Sequence, residues 1–564
     1  MASNPKSGDR SRQVNDTVNV ASYLTEMARR RPYQKAIINP VSRDDCGRVT
    51  YAHLTFRQLE KETDCLSHGL ESIGISRGIR TILMVPPGPD FFTLIFALFK
   101  VGAVPVVVDP GMGIKRMIQC LRHTEPTAFI GVSKAYVLRI LYSRHFRSVN
   151  TWVTVGPRKL FGAHSLARLF VQPWKPYQTV STGRDETAAI LFTTGSTGPA
   201  KGAVYTHGNF DAQVRLIRSH FKIKPGEIDL PTFPLFALFD PALGMTAVIP
   251  DMDPTHPARA NPVKIVEAIV DHGVTNIFAS PALLDRVGEF GQSRGIRLPS
   301  LKRVISAGAP VSPAIIETFS SLLTSKSQIH TPYGATEAMP VTSIASEEIL
   351  TKTRKMSEKG SGICVGRPID SLSVRIIQVS DMPINKWHYN LLVPSGQIGE
   401  IVVKGDLVTK RYYDNPAADA LSKIRDSNGF WHRMGDLGWM DVQGRIWFCG
   451  RKNHRVVMHS KTLYTIPCEA VFNNHPDVFR SALVGVGTMP EQKPVICIEL
   501  KKSVNESEND RIREELISLA GANPHTKDIT TAFFHQAFPV DIRHNAKIFR
   551  EDLADWAAEQ LQEE

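Results

Sequence analysis

Cysteine is scarce in this chain, and what there is does not pair. Seven cysteines, at 46, 65, 120, 364, 449, 468 and 497, are scattered over 564 residues with no CxxC pair and no Cys/His metal spacing. Their odd number and wide separation exclude a disulfide framework and a zinc site, and suit a reducing compartment. Long hydrophobic runs are missing too. The most apolar stretch, Phe91 to Val108, is interrupted by Lys100 and then by Gly102 and Pro105. A membrane-spanning helix needs about 20 mostly apolar residues, so the stretch reads as a buried helix, a turn and the strand VPVVV. Met1 to Asn19 is polar and lacks the apolar core of a secretory signal. A cytoplasmic protein is the resulting expectation. There is no internal repeat and no low-complexity run.

Acidic residues nearly vanish from one region. Between Lys100 and Lys175 stand twelve Lys/Arg against only Asp109 and Glu125, within a chain of net charge +12. Such a block suits an anionic lipid, nucleotide or acidic protein partner. No recognition motif accompanies it, which argues against nucleic acid. Within the block, Lys134–Phe146 (KAYVLRILYSRHF) has two readings: a basic amphipathic helix for a membrane surface, or a core-facing helix with a solvated basic edge. The second is the expectation.

A chain of 564 residues exceeds what one compact core accommodates. With 42% hydrophobic and 22% charged residues, it has the composition of folded proteins. Helical stretches alternate with the short β-branched runs TILMV (81–85), VPVVV (104–108), AILF (189–192), NIFA (276–279) and RVISA (303–307). That alternation predicts α/β layers with mainly parallel strands. From about residue 360, short strands such as VRIIQV, GEIVVKG and GRIWFCG predict a small β-rich subdomain. After Gly450, SALVGVG, VICIELK and a helix over Asp510–Leu519 predict a small α+β domain. The expected division is a loose tail (1–17), a large N-terminal α/β domain carrying the β-rich subdomain (18–450) and a small C-terminal domain (451–564).

The densest chemical signal is TTGSTGPAKG, Thr193 to Gly202, placed after the strand AILF. Its glycines and hydroxyls let backbone N–H groups wrap an anion, and Lys201 adds a point charge. It is not a Walker A loop, because GxxxxGK[ST] cannot be laid on it. Further on come SAGAP (306–310), YGATE (333–337), GEIVVKG (399–405), Arg433-Met434-Gly435-Asp436, Gly450-Arg451, and Ala546-Lys547-Ile548 with Arg550. In this order, from about residue 20 to about 560, the motifs resemble those of the acyl-adenylate-forming superfamily. Gly291–Gly295 also satisfies GxSxG, the nucleophile elbow of α/β-hydrolases. The preceding PALLDRVGEF reads as helix rather than strand, so that match is taken as accidental.

The resemblance implies a mobile C-terminal domain that rotates between half-reactions, and it implies roles for individual residues. Thr193, Thr194, Gly195, Ser196, Thr197, Gly198 and Lys201 would hold the phosphates of ATP. Gly308, Ala309 and Pro310 would flank adenine, with Tyr333 packed on it beside Gly334. Thr336 would contact the α-phosphate and Glu337 would hold Mg²⁺. Asp436 would bind the ribose hydroxyls, Arg451 would be a second ribose or phosphate ligand, and Lys547 would be the catalytic cation. The residue types suit the chemistry. A carboxylate attacking an anionic α-phosphate needs its surroundings to neutralise spreading negative charge, and it needs no general base, being ionised already.

Departures from the general pattern are informative. Asn453, Val457 and Ser460 stand where the family commonly has a hinge acid or lysine and an I-K-x-x-G run, and Ala546 replaces a glycine. The segments FPLFALFDPALGMTAVIPDMDPTHPARANP (233–262), PYGATEAMPV, GRKNHRV and FPVDIRHNAKIFRE resemble the olefin β-lactone synthetases of bacterial hydrocarbon biosynthesis. That resemblance implies a long-chain 2-alkyl-3-hydroxy acid as substrate, adenylated with ATP and closed to a β-lactone by its own hydroxyl. It also implies pathway partners, a β-lactone decarboxylase and a short-chain dehydrogenase. Phe233, Leu235, Phe236, Ala237, Leu238, Phe239 and Leu243 are candidates for the acyl pocket. His207 and Asp240 are the candidate bases for the hydroxyl. Two alternatives remain open at this point: a long-chain fatty acyl-CoA synthetase, and a non-catalytic lipid or nucleotide sensor of the same fold.

Overall fold

The computed structural model describes residues 17–157, 161–192, 200–233, 238–540 and 547–563. Among these, two large sheets lie in the first 450 residues. One runs in the spatial order 164–165, 151–155, 128–132, 80–84, 104–108, 187–192 and 202–206, parallel except for the last strand, which is antiparallel. β-Branched residues fill its central strands, as a sheet covered on both faces requires.

The helix Pro89–Lys100 begins with Pro at its first turn, and every residue from Phe91 to Lys100 is buried. It is followed by the strand Val104–Val108, as the interrupted apolar run predicted. Lys100 is fully buried because its ammonium meets Asp64 at 2.6 Å and Glu60 at 2.9 Å. Such a cation is tolerated in a core only when paired.

The second sheet begins as α/β layers. Its strands Lys35–Arg43, Thr246–Val248, Ile228–Pro231, Asn276–Ala279, Arg303–Ser306 and Gln328–Ala335 run parallel in that spatial order. It then turns antiparallel through Ala338–Ala345, Ile363–Pro368, Ile446–Arg451, Gly429–Met440, Gly399–Lys404 and Ser373–Ile377. The β-rich part expected after residue 360 is therefore continuous with the α/β sheet, joined where Thr342 and Ser343 pair with Pro368 and Arg367.

Beyond Gly450 a separate three-stranded sheet, Val478–Val486, Lys493–Leu500 and Thr531–Phe534, packs with helices Thr465–Phe472, Asn509–Gly521 and Arg550–Glu563. Mixed α/β architecture followed by a small α+β unit is thus the fold. The GxSxG segment lies in and just after the helix Pro281–Ser293, so it makes no strand-to-helix elbow.

One expectation is overturned. Lys134–Phe146 is not a single core-facing helix but three short turns, Ser133–Tyr136, Val137–Leu141 and Ser143–Phe146. Tyr136 and Leu138 are buried, whereas Val137, Ile140 and Leu141 face solvent. The periodic apolar residues are too many for one face to bury.

A buried ion pair joins three elements of the small unit. Arg550, at the start of the last helix, reaches Glu469 at 2.5 and 3.0 Å, and Glu469 also accepts the Leu483 N–H at 2.8 Å. Helix, strand and helix meet at this buried carboxylate. Removing one partner strands the other's charge in a poorly solvated place, which costs about 3 kcal/mol. Glu469→Ala is expected to lower unfolding free energy by about that amount in urea titrations. A loss below about 1 kcal/mol would contradict the role given to the pair.

Candidate active site

Between the antiparallel half of the large sheet and the C-terminal unit lies a cavity of about 1360 Å³. Lys201, Gly308, Ala309, Pro310, Tyr333, Gly334, Thr336, Glu337, Asp436, Arg451 and Lys547 all line it. Residues spread over some 350 positions of sequence thus converge on one space. Thr193–Gly198 lie outside the described residues, as do Leu235, Phe236 and Ala237.

The central piece is a hairpin. Strand Gln328–Ala335 turns into Ala338–Ala345, with Ala335 opposite Ala338, so Thr336 and Glu337 form its two-residue tip. The strands cross so tightly at Gly334 that a Cβ there would fall 2.4 Å from the Ala338 carbonyl oxygen. Only glycine fits. The Tyr205 hydroxyl donates to the Thr336 carbonyl, and the Tyr412 hydroxyl donates to Glu337 Oε1 at 2.6 Å. Gly308 on the facing loop holds φ +96°, a conformation that L side chains rarely adopt.

Asp436 organises the next layer. Its Oδ2 accepts the Tyr333 hydroxyl at 2.7 Å, and its Oδ1 accepts Arg451 Nη1 at 2.8 Å. Asp436 and Arg451 face each other across paired strands. Burial and the Asp436 carboxylate hold the Tyr333 phenol far above its usual range, so it stays a donor. The same carboxylate raises the Arg451 guanidinium.

Arg433, from the same motif, does not line the site as a ligand. It is buried, and its Nε and Nη2 donate to Glu400 at 3.0 and 2.6 Å, its Nη1 to the Met382 and Leu421 carbonyls, and its Nη2 also to Ser380 O. All five of its N–H groups are spoken for. Glu400, of the GEIVVKG motif, is its counter-ion. Both motifs are structural at this point.

Of two lysines that meet at the Tyr412 ring, Lys201 lines the cavity and Lys423 does not. Lys201 lies over the Tyr412 ring at 5.4 Å, and Lys423 approaches the same ring at 5.8 Å. Burial pushes the Lys423 amine down to about 7, against the pull of Glu337 and Asp419. Burial and the neighbouring Lys423 keep His432 far below its usual value, so this cavity-lining imidazole is neutral. Its Nδ1 lies 3.2 Å from the Ser422 carbonyl. Lys423 and His432 were missed in the sequence, because a single Lys or His beside the R-M-G-D run carries no motif of its own.

Among the described residues no group of three His, Cys, Asp or Glu is placed to hold a metal. A lone carboxylate such as Glu337 fits Mg²⁺ instead, which is commonly held by one or two carboxylates together with substrate phosphates.

The apolar lining of the cavity includes Phe233, Leu238, Phe239 and Phe278, and also Phe210 and Ile217. Phe210, Ile217 and Phe278 were not foreseen. Leu243 was expected there and does not line it: it is buried with Val214, Ile217 and Met245 in a packed core cluster. His207 and Asp240 are likewise absent from the wall. His207 is buried at a helix start, where Nδ1 accepts the Val20 N–H, and burial lowers it to about 4. Asp240 is buried, and burial together with Asp229 raises its carboxyl well above the usual range. Neither is placed as a base for a ligand in this cavity.

The sequence pattern of the AMP-binding enzyme family matches residues 24–413. The chain belongs to that family. Within it, this AMP-binding enzyme is 46% identical over 549 residues to the olefin β-lactone synthetase of Xanthomonas campestris pv. campestris, covering 96% of this chain and 98% of that one. It is 46% identical over 559 residues to the olefin β-lactone synthetase of Stenotrophomonas maltophilia, covering 97% and 100%. In fold, the AMP-binding enzyme is similar to the amide bond synthetase McbA of Marinactinospora thermotolerans, with a TM-score of 0.77 at 19% identity over 95% of this chain and 99% of that one.

The shared acceptor at Asp436 makes a direct test of the site's architecture. Asp436→Ala leaves the buried Tyr333 hydroxyl without a partner and is expected to cost about 2 kcal/mol of unfolding free energy. Adding Tyr333→Phe removes the orphaned group and should recover about 1 kcal/mol of that loss. Strict additivity of the two substitutions in urea unfolding would refute the coupling.

Proposed function

We propose that this AMP-binding enzyme adenylates a long-chain 2-alkyl-3-hydroxy acid with ATP and then closes the product to a β-lactone. The observation that carries the reading is 46% identity to two olefin β-lactone synthetases over nearly the whole chain. The cavity supports it. Its volume of about 1360 Å³ exceeds the roughly 300–1,000 Å³ of a pocket for one drug-sized ligand, and its lining is both cationic and aromatic.

In the first half-reaction a carboxylate oxygen of the acid attacks the α-phosphorus of ATP, and pyrophosphate leaves. Lys547 and Arg451 stabilise negative charge as it spreads, and Lys201 with the Thr193–Gly198 segment holds the departing phosphates. Asp436 takes the ribose hydroxyls, and Tyr333 with Gly308, Ala309 and Pro310 encloses adenine. Glu337, next to Thr336, would hold Mg²⁺ together with the phosphates, and the ion would supply charge neutralisation. In the second half-reaction the 3-hydroxyl oxygen attacks the acyl carbonyl, AMP leaves, and the hydroxyl proton passes to solvent or to the phosphate. The nucleophile is tethered, so effective molarity replaces a second substrate. Phe233, Leu238, Phe239 and Phe278 receive the alkyl chains. The small unit after residue 450 acts as the lid that carries Lys547 to the nucleotide. A β-lactone decarboxylase and a short-chain dehydrogenase then consume and supply its product and substrate.

Incubating the protein with ATP, Mg²⁺ and a long-chain 2-alkyl-3-hydroxy acid, without CoA, should give β-lactone, AMP and pyrophosphate in equal amounts by mass spectrometry. Lys547→Ala should cut lactone formation about 100-fold or more while leaving ATP binding measurable. In a parallel incubation with CoA added, a CoA thioester as the sole acyl product, with no lactone in either incubation, would assign the chain to acyl-CoA synthesis instead. Lactone output unchanged in Lys547→Ala would remove that lysine from the mechanism.

A further inference from the structure

The wall farthest in character from the cavity is an apolar face set in the basic block. Val137, Ile140 and Leu141 are 51%, 79% and 68% exposed, and Phe161 is 101% exposed. Positions 137, 140 and 141 are spaced i, i+3, i+4, so they share one side of the turn Val137–Leu141. The opposite side is anchored. Tyr136 packs against Phe129 and Trp152 at 5.9 and 5.6 Å between ring centres. Arg139 stacks over Trp152 at 4.6 Å and donates to the Phe161 carbonyl at 3.3 Å. Phe161 is therefore held beside the turn, its ring wholly in solvent. Ile114, 56% exposed, begins the neighbouring helix.

Exposed cations accompany these side chains along the chain: Lys134, Arg144 and Arg147 on the same segment, Lys115 and Arg116 next to Ile114. The sequence from 100 to 175 supplies only Asp109 and Glu125 against twelve Lys/Arg. Exposed apolar side chains accompanied by one sign of charge mark an interaction surface.

We propose that this face binds an anionic lipid bilayer, with Val137, Ile140, Leu141 and Phe161 entering the headgroup–acyl boundary and the Lys/Arg side chains on the lipid phosphates. Charge complementarity selects an anionic surface. The shape selects a bilayer over a folded acidic partner: protruding separate side chains suit insertion into a fluid interface, whereas a protein interface offers apolar residues gathered into a packed patch. The two components match the rule that stable peripheral attachment needs both an apolar and a polybasic signal. Bilayer docking would also bring the enzyme to where a long-chain acid resides; that consequence rests on the proposed reaction, while the binding itself does not.

The test is co-sedimentation of the full-length protein with phosphatidylcholine vesicles, with and without phosphatidylglycerol. Binding is expected only to the phosphatidylglycerol vesicles, and it should fall as salt is raised. Replacing Lys134, Arg144 and Arg147 together by Ala should weaken it roughly 100-fold. Ile140→Glu with Leu141→Glu should weaken it at least about tenfold, with an unchanged melting curve because both residues are exposed. If that pair disturbs folding, Phe161→Ser, at a ring that touches no core, provides the same reading. Absence of binding to phosphatidylglycerol vesicles, or equal binding by the variants, would overturn the proposal. So would a dimer in sedimentation velocity that the Ile140/Leu141 substitutions dissociate, because it would assign the face to a second copy of the chain.

Discussion

The site depends on one carboxylate serving two donors. Asp436 accepts from Tyr333 on the hairpin and from Arg451 at the end of the neighbouring strand. It thereby fixes the aromatic wall and the cationic wall of the cavity relative to each other. A carboxylate can do this inside a protein only if its strand is held in register. That register comes from Arg433, three residues earlier, whose saturated guanidinium clamps the strand to Glu400 and to the 380–382 loop. A buried pair of this kind contributes little net stability; what it supplies is position. The R-M-G-D run is thus two devices in four residues, a clamp and a ligand, separated by a bulge in the strand at Gly435, φ +66°.

Electrostatics around this frame is lopsided. Lys201, Arg451 and Lys547 line a space to which Glu337 and Asp436 bring negative charge, with Lys423 beside Lys201 at the Tyr412 ring but outside that lining, and Asp436 is already engaged by Arg451. Burial moves Lys423 down and keeps His432 neutral, which is how a crowded cationic site limits its own repulsion without a ligand. An entering polyanion reverses that situation. Each phosphate oxygen would replace repulsion between cations by attraction. The Tyr412 hydroxyl donates to Glu337 and so fixes the orientation of that carboxylate.

How much of this was readable in the sequence depended on the length scale of each signal. The parallel strands were legible because β-branched runs such as Val104–Val108 stand between helical stretches, and local pattern suffices for that. Lys201, Glu337, Asp436 and Lys547 were legible as a set because their motifs keep a fixed order, although nothing in any one of them states that they share a cavity. Pocket walls were not legible. Leu243 faces the core and Phe278 faces the cavity because of how the strand Asn276–Ala279 and the turn after Phe239 pack, and apolar residues look alike until the packing is known. His207 and Asp240 misled for the same reason: polar groups near a motif read as reactive, yet their burial makes them structural. In Lys134–Phe146 the expected single helix breaks into three short pieces, so some of its apolar residues reach the core and Val137, Ile140 and Leu141 do not.

The aromatic lining of the cavity bears on the proposed chemistry through water. An acyl-adenylate is destroyed by hydrolysis, and a tethered hydroxyl competes with solvent for the same carbonyl. Intramolecular attack is favoured by effective molarity, but strain in a four-membered ring works against it, so exclusion of water must supply part of the selectivity. Phe233, Leu238, Phe239 and Phe278 line the same cavity as Asp436 and Arg451, and alkyl chains seated among them would keep water from that part of it. On this view the two alkyl branches of the substrate act in the chemistry as well as in recognition. They close the space around the carbonyl, which a short unbranched acid leaves open.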